Sequence, residues 1–111
     1  MVSEIRLTVP VVRVLAVLVA DPDGDHYGLE LMRGAGLASG TLYPVLARLK
    51  EAGWLEKRWE ELDPAAAGRP ARAYYRLTKE ALPLARQRLA ELHEQTRGVG
   101  SAARSAREAT A

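Results

Sequence analysis

The residues best suited to bind an anion lie between Gly36 and Leu55, in the stretch GLASGTLYPVLARLKEAGWL. Gly40, Tyr43, Pro44, Ala47 and Arg48 recur at helical spacing, forming a strip of small residues flanked by one aromatic hydroxyl and one cation. Small side chains let a helix lie close to a flat surface. The hydroxyls of Ser39, Thr41 and Tyr43 can donate to phosphates or base edges, and Arg48 is suited to a bidentate contact with guanine. Lys50 stands to the side, where it suits phosphate. Farther along, Arg69 and Arg72 bracket a loop, and both are better placed to grip phosphate than to read sequence. The chemistry indicated is noncovalent docking onto a polyanion.

The elements that must present this strip follow from the flanking residues. Leu42, Val45, Leu46 and Leu49 fall at i, i+3, i+4 and i+7, so the opposite face of the same helix is buried. Ser39 or Thr41 is expected as its N-cap, Pro44 near its first turn and Gly53 at its C-cap. Upstream, a helix opens near Thr8 with Pro10 in its first turn and runs to about Ala20. Its run of valines and leucines predicts nearly complete burial. DPDGD at Asp21 to Asp25 is a turn offering Asp25 as cap for a short second helix, about His26 to Arg33, closed by Gly34 and Gly36. Tyr27 and Leu31, with Met32 or Leu29, should point inward there. Second and third helices joined by a glycine-bearing turn have the layout of a helix-turn-helix.

After Gly53 the period changes. Trp54 to Glu61 suits a strand with Leu55 and Trp59 on one side, LDPAAAGRPA at Leu62 to Ala71 suits a hairpin loop, and Arg72 to Leu77 suits the returning strand. A last helix is expected from Thr78 to about Thr96, although Pro83 makes its start either irregular or later than Thr78. Leu82, Ala85, Leu89 and Leu92 form a narrow apolar stripe, read as a dimerisation seam, with packing back onto the first helix as the alternative. Residues 98–111 are low in large apolar side chains and read as a frayed or disordered tail. The expected fold is mainly α with a small β-hairpin. It comprises a winged helix-turn-helix over 1–78, a C-terminal dimerisation helix over 79–97 and the tail.

Composition narrows the function classes. A chain of 111 residues with 48% hydrophobic content supports one small core, and help from a second subunit is expected. The absence of cysteine excludes disulfides and thiolate metal sites. A net charge of +2 is compatible with nucleic acid. Met1 to Arg6 lacks a signal-peptide layout, and the apolar run Val9 to Ala20 carries Arg13 and is too short to span a bilayer. A cytoplasmic, nucleoid-associated protein without a membrane partner is expected. Asp21, Asp23 and Asp25 have the alternation of a calcium loop, but His26 and Met32 occupy the positions that need glycine and glutamate. Gly34, Gly36 and Gly40 lack the lysine and the preceding strand of a phosphate loop. His26 and His93 form no metal-ligand pattern, and no nucleophile is paired with a base, so neither a cofactor nor an enzyme is expected. Trp54 and Trp59 are expected to fill the core where the hairpin meets the helices, the alternative being a ligand pocket between subunits.

Three pieces of the chain together resemble the PadR-like transcriptional regulators. They are YGLEL at Tyr27 to Leu31, SGTLYPVLARLKEAGWL at Ser39 to Leu55, and GRPARAYYRLT at Gly68 to Thr78, within a likeness running from about Leu7 to Leu92. The resemblance implies a homodimeric winged-helix repressor binding a near-palindromic operator in double-stranded DNA, with the last helix exchanging contacts between subunits. It implies that Tyr27, Ser39, Thr41, Tyr43 and Pro44 lie at the DNA face and that Arg69 and Arg72 belong to the wing. The chain is similar to the short members, with one helix after the wing, so the ligand responses of long members do not transfer and no small-molecule effector is named. Ala71 and Ala73 stand where family wings are often basic, which implies a weaker wing. The alternative reading is a winged-helix module that uses the same face to hold another protein.

Overall fold

A computed structural model of the chain describes the backbone to Thr110 and side chains to Thr96. The tail expected over 98–111 lies outside the described side chains. Helix α1 (Val9–Ala20) is capped by Thr8, whose hydroxyl accepts the Val11 N–H at 3.4 Å, and Pro10 sits in the first turn. Val11, Val14, Leu15 and Leu18 are fully buried, whereas Val9, Arg13, Ala16 and Ala20 face solvent. The helix is therefore central but only one-sided in burial.

The second helix begins later than the sequence suggests. His26–Tyr27 form a short strand, β1, and α2 (Gly28–Ala35) follows, with Tyr27 rather than Asp25 at the N-cap position. Asp25 instead accepts a hydrogen bond from Nε of Arg76 at 3.0 Å. Leu31 and Ala35 point inward while Leu29 is exposed. Gly36, left-handed at φ 65°, ends the helix, and Gly34 lies within it against Val17.

Helix α3 (Ser39–Glu51) buries Leu42, Val45, Leu46 and Leu49, the four positions given by its periodicity. Ala38 is its N-cap and provides no side-chain bond, so neither Ser39 nor Thr41 caps it. At the other end Ala52 is the C-cap, and Gly53 follows at φ 81°. The Gly53 N–H donates to the Lys50 carbonyl at 3.1 Å and the Trp54 N–H to the Leu49 carbonyl at 2.9 Å, a Schellman closure that needs the left-handed residue between. A side chain at position 53 would also collide with the Met1 carbonyl oxygen. Trp54 is fully buried, and its indole N–H donates to the Ser3 carbonyl at 2.6 Å, binding the N-terminal segment to the base of the core.

Strands β2 (Leu55–Trp59) and β3 (Ala73–Leu77) pair antiparallel from Leu55 with Leu77 to Trp59 with Ala73. β1 joins the other edge of β3, His26 opposite Tyr75, giving the sheet order β1-β3-β2. The hairpin loop contains one helical turn, α4 (Pro64–Ala67), with Asp63 capping the Ala65 N–H at 3.1 Å and Gly68 left-handed behind it. Helix α5 (Ala81–Thr110) starts three residues after Thr78, which places Pro83 in its first turn. The Thr78 hydroxyl donates to the Gly53 carbonyl at 2.8 Å and accepts the Ala81 N–H at 3.3 Å. Ala81 and Ala85 are fully buried in the chain's own core, and α5 contacts α1. Ala85 is thus an intrachain packing residue. Leu82 and Leu89 also pack against that core while remaining partly exposed, and Leu92 is partly exposed.

Candidate nucleic-acid interface

The outer face of α3 is open. Ser39, Gly40, Thr41, Tyr43, Pro44, Ala47, Arg48 and Lys50 are all exposed. Among the described residues nothing lies within 4 Å of the point where a Gly40 Cβ would sit. Pro44 is the sixth residue of the helix rather than a first-turn residue, so the Gly40 carbonyl loses its intrahelical donor on that open face. The two cations of the helix stand on different flanks. Lys50 shares a depression with Tyr43, Lys57 and Tyr75 on the hairpin side, while Arg48 and Glu51 border Ser3 to Arg6 of the N-terminal segment. Glu51 is exposed at the end of this helix and opposes anion binding there, a charge that the strip pattern left out.

Tyr43 reaches back over the start of α2. Its hydroxyl would collide with a Cβ at position 28, so glycine there is what admits the ring.

The hairpin, or wing, is organised by Glu60. Its Oε1 accepts from Arg69 Nη1 at 2.7 Å and from the Arg72 backbone N–H at 2.9 Å. Its Oε2 accepts from Arg69 Nη2 at 3.1 Å and from the Tyr27 hydroxyl at 3.4 Å. Hydrogen bonding from Arg69 outweighs the opposing effect of burial, and the carboxyl is pushed down to about 2. Partial burial, and then Glu60, raise the Tyr27 hydroxyl above its ordinary value. Two of the expected DNA contacts also have partners within the chain. Arg69 is committed to a bidentate ion pair inside the wing, and Tyr27 ties β1 to it, its ring 6.0 Å from that of Tyr74. Arg72 is exposed, hydrogen-bonds Glu60 through its backbone N–H, and adds its side-chain charge to the lowering of the Glu60 carboxyl. Lys57 lies 5.1 Å from the centre of the Trp59 ring. The two tryptophans have different fates, because Trp54 is core but Trp59 is 59% exposed. Trp59, Tyr43, Lys57, Arg72 and Leu29 line a cleft of about 590 Å³ between the wing on one side and the start of α2 with Tyr43 of α3 on the other.

Three helices, a two-stranded wing and an uncovered third-helix face compose a winged helix-turn-helix. Residues 14–81 match the model of the transcriptional regulator PadR-like family, more than half of the chain. The chain belongs to the PadR-like family of transcriptional regulators. PadR-like proteins are regulators rather than enzymes. Among solved structures, a PadR-like transcription factor from Bacteroides fragilis is 26% identical, with a TM-score of 0.62 over 82% of this chain and 86% of that one. The circadian clock associated protein Pex from Anabaena is 25% identical, with a TM-score of 0.59 over 84% and 81%. MepR of S. aureus, solved as a DNA complex, is 14% identical with a TM-score of 0.62 over 95% and 82%, a likeness of fold. No curated protein matches the chain. Among the described residues no helix is long and apolar enough to cross a membrane.

Proposed function

We propose that this PadR-like chain is a sequence-specific DNA-binding repressor acting as a homodimer on a near-palindromic operator. The observation that carries the reading is the bare outer face of α3, where Gly40, Thr41, Pro44 and Ala47 are exposed and Gly40 has open space before it. A helix with that face can approach base edges closely, with Ser39, Thr41 and Tyr43 as hydrogen-bond donors and Arg48 as the residue for guanine. Lys50 and Arg72 supply phosphate contacts. Residues 1–78 form the DNA-binding unit and 79–97 the dimerisation helix. Leu82, Leu89 and Leu92 cover one another across a two-fold axis, and that axis sets half-site spacing at about one helical turn. The family supports a cytoplasmic, nucleoid-associated location.

A gel-shift with the DNA upstream of the protein's own gene tests the proposal. Retardation at low salt that fades as salt rises is expected, because each neutralised phosphate releases counterions. No shift at low salt overturns it and favours a protein-binding module using the same face.

A further inference from the structure

We infer that Trp59 is a DNA-contact residue, and that the cleft between the wing and the start of α2, closed by Tyr43 of α3, seats the sugar–phosphate backbone of one strand. This rests on the DNA-binding reading above. Trp59, Leu29 and Tyr43 are large apolar residues left exposed on the described surface, at 59%, 57% and 47%, and all three line this one cleft. Two cations line it as well, Lys57 beside the Trp59 ring and Arg72 on the wing. An apolar floor rimmed by positive charge matches a chain that alternates deoxyribose and phosphate, more closely than it matches either an acidic or an apolar partner.

The position fits the same occupant. When the third helix of a winged helix lies in the major groove, the wing stands over the neighbouring backbone. A strand running between those two contacts would pass over Tyr43, the start of α2 and Trp59, the walls of the cleft. Its sugar would pack on the indole face, its phosphates would meet Lys57 and Arg72, and the indole N–H and the Tyr43 hydroxyl would donate to phosphate oxygens. Ala71 and Ala73, which line the same cleft without charge or bulk, leave room for the strand. The affinity lost through a wing short of basic residues is supplied here by an apolar contact.

The test uses the intact protein and a duplex carrying its own upstream region. Tryptophan emission should change on binding, and Trp59→Phe should abolish the change, since the buried Trp54 does not meet DNA. Trp59→Ala should weaken binding on the order of tenfold while leaving the slope of log K against log salt unaltered. Lys57→Ala should instead reduce that slope by about one. Wild-type binding with unchanged emission, or Trp59→Ala binding as tightly as wild type, overturns the inference while leaving DNA binding intact. Failure of the wild type to bind defeats the parent reading and this inference with it. Melting temperature, expected to be preserved in Trp59→Ala because the ring is exposed, separates lost contact from lost fold.

Discussion

Glu60 and Arg69, nine residues apart, face each other across the base of the wing loop through hydrogen bonds of 2.7 and 3.1 Å. The carboxylate that holds the wing closed also engages Tyr27, so the loop is tied to the start of the helix-turn-helix. Because Arg69 holds the folded-state carboxyl at about 2, below its ordinary 4.5, the pair contributes stability that is complete above pH 4.5. The contribution falls as pH drops from 4.5 toward 2. Glu60→Gln should therefore melt below wild type at pH 7, and the gap should close as pH approaches 2. Paired thermal melts across this range measure it, and a gap independent of pH would contradict the assignment.

Gly28→Ala separates stability from binding. The added methyl meets the Tyr43 hydroxyl, the movable end of a side chain, so the ring should swing away at little cost to the fold. Melting temperature should change by only a few degrees, while DNA affinity should drop several-fold because a donor has left the interface. Calorimetry and a binding titration on the same sample check both halves.

At position 40 the two quantities should move in opposite directions. Alanine there meets nothing within 4 Å among the described residues and removes the flexibility of a helical glycine, a gain of up to about 1 kcal/mol. The same methyl stands on the face proposed to approach the bases. A variant that is more stable yet binds operator less tightly is expected, and unchanged binding would argue against close approach by α3.

The last helix is expected to join two subunits through the exposed parts of Leu82, Leu89 and Leu92, since Ala85 is fully buried inside the chain. Light scattering should give a dimer for wild type at micromolar concentration and a monomer for Leu89→Glu with Leu92→Glu. A monomeric wild type would remove the two-fold half-site arrangement.

Much of the fold was legible because it rests on local pattern. The Thr8 cap, the buried quartet of α3 and the later start of α5, one of the two outcomes that Pro83 allowed, all follow from residues within a turn or two of one another. β1 was not legible, since two residues carry no period and His26–Tyr27 become a strand only by pairing with Tyr74 and Tyr75. α4 did carry a signal: aspartate as cap, proline at the first position and glycine at the close, obscured by counting prolines as loop formers. Among site residues, the exposed strip of α3 was visible from periodicity alone. The commitment of Arg69 to Glu60 was hidden because it depends on the hairpin closing, and Trp59 shares a strand face with buried Leu55 but lies four residues out, past the edge of the core.

The central claim, that the open face of α3 reads DNA, is tested most directly by fluorescence anisotropy of the upstream duplex against a scrambled duplex over a series of salt concentrations, for wild type and Arg48→Ala. The account predicts tighter wild-type binding to the upstream duplex and a steep decline with salt. It also predicts a loss of about 1–3 kcal/mol for Arg48→Ala that narrows the difference between the two duplexes. Equal affinity for both duplexes, with Arg48→Ala indistinguishable from wild type, would contradict it.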